Sequence, residues 1–207
     1  MNLPSDLGHL FYLLRQSTTF LVGGCVRDYL MGVVPKDFDI VSDMSMDSIA
    51  EILTKQGWKV DETGKHFLVL IVTSPKGKTY EIANFRKEGV FLDGRRPETV
   101  DIGTLEEDAV RRDFTVNAIY YEPHSKKIFS PIESAISDVA ERKLQFIGKP
   151  VDRIKEDYLR VFRFYRFLST KGFNPDKHSM AACRTHFNDA IAKTTPERIR
   201  NEIERMV

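Results

Sequence analysis

The chain has 207 residues, 42% hydrophobic and 29% charged, a balance that excludes a disordered or fibrous protein. No apolar run reaches the roughly 18 residues of a membrane span, and the N-terminal residues lack the basic start and apolar core of a secretory signal. The net charge of +1 hides an asymmetry: residues 141–207 carry 15 basic and 9 acidic side chains, residues 1–140 carry 16 and 21, which suggests an anion-binding region beside an acidic one.

In chain order, Leu7 to Arg15 has its leucines at helical spacing and predicts a short amphipathic helix. Thr18–Val22 reads as a buried strand running into Gly23-Gly24, followed by a helix over 26–31 that Gly32 closes. Phe38–Val41 is a second strand, entered through Pro35-Lys36-Asp37. Ser45 caps a helix from Met46 to Gln56, with Gly57 as its stop. Strands follow at 58–60, 67–72 and 79–85, the last two joined by the turn Ser74-Pro75-Lys76-Gly77 as a hairpin. Residues 86–104 are polar, contain Gly89, Gly94 and Gly103, and read as a mobile loop. Helix and then strand return over 105–121, a loop with a short helix covers 130–144, and one more strand lies at 145–147. After Gly148 the β signals stop. Residues 152–207 read as helices only, at about 153–170, about 175–186, and from Pro196 onward with Thr195 as N-cap. The fold expected is α+β: a mixed sheet with flanking helices over 1–148, then an all-helical region over 149–207. The last helix has no stop signal before Val207, so the natural chain is expected to continue.

Asp37 and Asp39 stand two apart on a predicted strand, so both side chains leave one face. Paired carboxylates repel unless a cation lies between them, and magnesium suits the place because it takes hard oxygen ligands and keeps positions open for phosphate oxygens. Two such ions can hold the attacking and leaving oxygens of a phosphoryl or nucleotidyl transfer. Glu81, inside the strand 79–85, is the candidate third carboxylate. Alone, an Asp-x-Asp pair is as compatible with a solvated strand face. Its neighbours shift the balance: Gly23-Gly24 directly after a strand let backbone N–H groups approach phosphate oxygens, and Arg27 can add a charge-assisted fork. Strand, double glycine, helix, turn and Asp-x-Asp within Gly23–Asp39 imply a triphosphate held over a two-metal site.

With those residues assembled, the sequence resembles the nucleotidyltransferase superfamily that includes DNA polymerase β, and more narrowly the class II tRNA nucleotidyltransferase (CCA-adding) and bacterial poly(A) polymerase family, in its head and neck region. The resemblance rests on four stretches: Leu21-Val22-Gly23-Gly24-Cys25-Val26-Arg27-Asp28 through Asp37-Phe38-Asp39; Arg111-Arg112-Asp113-Phe114-Thr115-Val116-Asn117-Ala118; Glu156-Asp157-Tyr158-Leu159-Arg160-Val161-Phe162-Arg163; and Pro196-Glu197-Arg198-Ile199-Arg200 with Glu202. Asp93-Gly94-Arg95-Arg96-Pro97 and Glu106-Glu107-Asp108-Ala109 also have family counterparts.

The resemblance implies a catalytic head at 1–148 and a truncated, nucleotide-selecting neck at 149–207. It implies that Arg112, Asp113 and Asn117 meet the nucleotide and its ribose, that Asp157 and Arg160 read the base edge and favour CTP and ATP, and that Arg163 touches the triphosphate. Two magnesium ions, CTP and ATP as substrates, and an RNA 3′ end, most simply that of tRNA, complete the expectation. Small features divide the product: the Glu156–Arg160 stretch looks more like CCA-adding enzymes, whereas Gly103-Thr104 with Glu106–Ala109 and Gly64-Lys65 with Phe67 lean toward poly(A) polymerases. Addition of A alone or CC alone, a fragment that binds nucleotides with little turnover, and transfer to a small-molecule hydroxyl remain alternatives. Cys25, the histidines and Trp58 read as structural residues. Arg198, Arg200 and Arg205 read equally as an RNA-backbone contact or a charged helix face.

Overall fold

The computed structural model describes residues 1–88 and 100–206; Asp93–Pro97 and the centre of the predicted 86–104 loop lie outside the described residues. Its frame is a seven-stranded mixed sheet in the order β3-β4-β5-β2-β1-β8-β9. The strands are β1 (Thr19–Val22), β2 (Asp39–Ser42), β3 (Lys59–Asp61), β4 (Val69–Thr73), β5 (Thr79–Asn84), β8 (Tyr120–Glu122) and β9 (Lys127–Phe129). β2 and β5 run parallel, and every other neighbouring pair is antiparallel. The predicted hairpin closes as read, with Gly77 N–H donating to the Ser74 carbonyl at 2.8 Å.

Both faces of the sheet are covered, and the period-two alternation of a strand sorts the side chains between them. Leu21, Ile40, Leu70 and Ile82 face α1 (Ser5–Leu13) and α3 (Met46–Lys55) in the larger core. Phe20, Val22, Val41, Ala83 and Phe85 face the other way, onto Ala109 of α4 (Leu105–Arg111) and Tyr120. Asp39 alternates with Val41 along β2 and Glu81 with Ala83 along β5, so the two acidic residues share the α4 face. Helix α2 (Gly24–Leu30) leaves the end of β1.

Several predicted elements differ. The 86–104 segment is no simple loop at its ends: β6 (Arg86–Glu88) and β7 (Val100–Ile102) pair as an antiparallel ribbon, and Thr104 caps α4. β9 carries too short an apolar alternation to stand out from its turn. The predicted strand at 145–147 is reduced to a single antiparallel bridge between Phe146 and Phe114, and just before it β10 (Lys143–Leu144) pairs in parallel with β11 (Asn174–Pro175), so residues 152–207 are not purely helical. Helix α5 (Ala135–Ala140) precedes β10. The single predicted helix at about 153–170 is two, α6 (Pro150–Glu156) and α7 (Leu159–Lys171), parted at Asp157, whose backbone is extended (φ −151°). The chain ends in α8 (Lys177–Thr185), α9 (Phe187–Lys193) and α10 (Pro196–Glu204). The larger core runs without a break from Leu7 of α1 to Ala190 of α9. Phe114, Phe146, Phe164 and Phe167 join the sheet side to α7, with ring centroids 4.9 to 6.0 Å apart in contacting pairs.

Candidate active site

The glycine turn and the acidic pair meet because of strand register. Val22, the last residue of β1, pairs with Asp39, the first of β2, so Gly23 follows directly beside that carboxylate. Gly23 has φ +74°, a conformation disfavoured for any residue with a Cβ. A Cβ there would stand 3.4 Å from Arg112 Nη1 and 3.6 Å from the Asn117 carbonyl, so the glycine also makes room for a guanidinium. Asp37 lies on the segment entering β2 rather than on the strand itself. Asp37, Asp39 and Glu81 nevertheless line one cleft of about 480 Å³, with Lys36 and Lys78 at its edge. Glu81 is beside Asp39 in the parallel register of β2 and β5.

Asp39 keeps a solvent-facing side while protein hems in the rest of its carboxylate. That burial, followed by repulsion from Glu81 and Asp37, raises its carboxyl above the ordinary 3.8, against the pull of Arg112 and Arg27. Such an excess of negative charge is what a divalent cation relieves, and Asp37 with Asp39 offers the hard oxygens that magnesium takes. Among the described residues no three His, Cys, Asp or Glu side chains gather closely enough to hold one ion. Glu81 therefore stands alongside the pair without completing a three-ligand cage, and phosphate oxygens and water are the natural remaining ligands. Cys25 is buried, and its thiol is pushed up to about 12 by burial and by Asp39, so it is no nucleophile.

The Arg111-Arg112-Asp113 run divides between two networks. Asp108, fully buried in α4, accepts from Arg111 (2.5 and 2.8 Å), from Arg112 (2.8 and 3.1 Å) and from the Tyr120 hydroxyl (2.8 Å). Burial opposes its charge, but Arg112 and Arg111 outweigh that and hold its carboxyl below the ordinary range. Arg111 and Arg112 lie three and four residues after Asp108, so helical spacing carried this signal. Asp113 instead faces α7: Oδ1 accepts from the Phe114 N–H and Asn117 Nδ2, each at 2.8 Å, and Oδ2 accepts a fork from Arg163 at 2.7 and 2.8 Å. Asn117 in turn accepts from Arg27 Nη1 at 2.5 Å. Arg27 is buried, forked to Asp28 at 2.7 and 2.9 Å and packed over Phe167. Arg27 and Arg163, both expected at the triphosphate, thus belong to one chain of charges with the expected ribose contacts Asn117 and Asp113.

The expected base-reading pair is arranged differently from the sequence reading. Because Asp157 lies in the break between α6 and α7, it shares no helix face with Arg160 and Arg163. Its Oδ1 accepts the Leu159 N–H at 3.1 Å, and its Oδ2 is ion-paired to Arg198 of α10 at 2.9 Å. Arg160 is buried, donating to Glu156 Oε2 at 2.5 Å and to the Arg153 carbonyl at 2.8 Å. Arg198 is therefore more than an idle surface charge; Arg200 and Arg205 are exposed. Glu202, buried in α10, takes Arg166 at 2.5 Å and stands 3.7 Å from Arg163.

Residues 19–145 match the family model described as the poly(A) polymerase head domain. A CCA-adding enzyme of Streptococcus pyogenes is 33% identical over the whole chain and 51% of its own length. One of Lactococcus lactis is 34% identical over 91% of the chain and 46% of its own length. The crystal structure of the Bacillus stearothermophilus CCA-adding enzyme in complex with CTP aligns with all of the chain and 49% of itself, at a TM-score of 0.86 and 28% identity. The Thermotoga maritima CCA-adding enzyme complexed with tRNA, at a TM-score of 0.78 and 21% identity over 99% of the chain and 48% of itself, shows the same fold. The chain spans about half the length of the curated relatives it matches.

Proposed function

The chain belongs to the poly(A) polymerase head domain family, and from that membership we propose that it is a template-independent RNA nucleotidyltransferase that adds nucleotides from CTP and ATP to a tRNA 3′ end. Residues 1–148 act as the catalytic head and 149–207 as the neck that selects the nucleotide. In the reaction the RNA 3′-hydroxyl attacks the α-phosphorus and pyrophosphate leaves. Asp37 and Asp39 would hold magnesium, which when bound supplies the charge that activates the hydroxyl and neutralises the triphosphate. The backbone at Gly23-Gly24 lets phosphate oxygens approach, Arg112 beside Gly23 adds positive charge, and Asp113 with Asn117 faces the nucleotide from the head side. Asp157, set by Arg198, and Arg160 present a carboxylate and a guanidinium for the base edge. Both cysteines are free and buried, which suits a reducing cytoplasm, and no described helix is long and apolar enough to cross a membrane.

The observation that carries this reading is the Val22–Asp39 register, which sets a metal-binding carboxylate against a glycine turn built for phosphate. The test is incubation of the chain with tRNA lacking its 3′ end, labelled CTP and ATP, and magnesium, with products read at nucleotide resolution. Addition of C, C and A is expected; addition of A alone or as a tail would favour the poly(A) polymerase reading. Asp39→Ala should keep the circular dichroism of the fold while lowering addition by on the order of 10³-fold or more, since it removes a ligand of the catalytic charge. Full magnesium-dependent activity in that variant would refute the mechanism. One other reading is a nucleotide binder with little turnover: titration that shows CTP and ATP binding without incorporation would establish it.

A further inference from the structure

Arg86 is a half-buried cation that the chemistry above leaves without a task. It opens β6 directly after β5, and its bonds to the rest of the protein are poor. Its backbone N–H approaches Asp108 Oδ1 at 3.5 Å and its Nη1 approaches the Phe67 carbonyl at 3.5 Å, both at the outer limit of a hydrogen bond. Its Nε is shielded from solvent and has no hydrogen-bond partner among the described residues. Among the described residues no carboxylate forms an ion pair with it. The acid that acts on it most strongly, Asp108, is already ion-paired to Arg111 and Arg112, and Glu81 is the next acid that acts on it. Burial and the charge of Arg111 push the Arg86 guanidinium down to about 10. A half-buried guanidinium with shielded, unpartnered donors and no ion-paired acid is poised to gain from an opposite charge that reaches it.

We infer that Arg86 binds a backbone phosphate of the RNA acceptor strand near its 3′ end, on the side of Asp39 away from the glycine turn. The inference rests on the nucleotidyltransferase reading above. That reaction brings two phosphate-bearing substrates to Asp39, and the sheet order separates them. β1 and its Gly23-Gly24 turn lie on one side of β2, and β5, which leads through Glu81 to Arg86, lies on the other. In-line displacement places the attacking hydroxyl and the departing pyrophosphate on opposite sides of the α-phosphorus. With the triphosphate at the glycine turn, the strand that carries the hydroxyl comes from the β5 side, where Arg86 offers a planar fork suited to a phosphodiester.

The test uses the full chain and two titrations: a short fluorescein-labelled single-stranded RNA with a free 3′-hydroxyl, followed by anisotropy over a range of salt concentrations, and CTP, followed by calorimetry. Arg86→Gln should weaken RNA binding about tenfold and make the slope of log K against log salt shallower by about 0.7, the loss of one phosphate contact on a single strand. CTP affinity should stay within about twofold, because this cation is set apart from the triphosphate by the acidic strand. Arg86→Lys should restore the salt slope. The melting temperature of Arg86→Gln should not fall, since no ion pair between described residues is lost. Unchanged RNA affinity and slope would overturn the inference, as would a loss of CTP affinity with RNA binding kept, which would put Arg86 at the triphosphate. A large fall in melting temperature would overturn it in favour of a structural role. RNA left unbound by the unaltered chain while CTP binds would overturn the inference alone; failure to bind either would sink the nucleotidyltransferase reading with it.

Discussion

Asp113 accepts hydrogen bonds from four donors, two of them on the Arg163 guanidinium fifty residues further along the chain. Burial opposes its charge, yet Arg163 and Asn117 prevail and hold its carboxyl down at about 2 instead of 3.8. A carboxyl lowered on folding stabilises the fold above its unfolded value and loses that contribution as pH falls from about 4 to about 2. Replacing Asp113 with Asn should therefore cost about 2 kcal/mol at pH 7, the free energy of that displacement, and the difference from the unaltered chain should shrink toward zero at acid pH. Urea unfolding at several pH values measures both. A ribose role for Asp113 is compatible with this only through the lone pairs that Arg163 leaves free. At this scale the glycines and the Asp-x-Asp pair were legible because their meaning lies in local spacing. The pairings of Asp113 with Arg163, Asp157 with Arg198 and Arg27 with Asn117 were not, because each joins residues far apart along the chain.

Helix α4 carries Asp108, Arg111 and Arg112, and a full capping box sets its start. Thr104 Oγ1 accepts the Glu107 N–H at 3.2 Å, and Glu107 Oε2 accepts the Thr104 N–H at 2.9 Å. Thr104→Ala should cost about 1 kcal/mol, read as a lower denaturant midpoint with an unchanged m-value. The same kind of local signal made α3 and the β4–β5 hairpin legible: Ser45 accepts the Ser48 N–H at 3.2 Å, and Gly77 ends a tight turn. The break between α6 and α7 was hidden, since apolar periodicity continues across it. It forms because Asp157 bonds the Leu159 N–H and turns its other oxygen to Arg198, which competes with the helical hydrogen-bond ladder. The β10–β11 pair was equally hidden, being two residues long on each side.

At the scale of the whole molecule, the sheet layer and the C-terminal helices are fastened together. The line Arg27–Asn117–Asp113–Arg163 crosses between them, Lys171 reaches Asp28 at 3.1 Å, and the phenylalanines of Phe114 and α7 share one core. The last helix closes the arrangement, with Arg198 on Asp157 and Glu202 on Arg166. Under the proposed function Arg198 is thus a positioning residue for base choice. Arg198→Gln should lower the preference for CTP and ATP over UTP and GTP in four-way competition by about tenfold, the scale of one hydrogen-bonded partner lost. Overall triphosphate affinity should change little. Selectivity equal to that of the unaltered chain would show that Asp157 does not need this partner.

The amino-acid sequence on its own determined the strand–glycine–helix–carboxylate order, the hairpin, the capped helices and the family that their motifs resemble. Those features depend on neighbours within a few residues, where backbone sterics and side-chain spacing decide the outcome. Only the tertiary structure decided which carboxylate each arginine serves, where α6 breaks, and that Arg86 has no ion-paired acid among the described residues. Those outcomes depend on which distant side chains share a low-dielectric interior, and in that interior a charge must find its partner wherever the fold brings one.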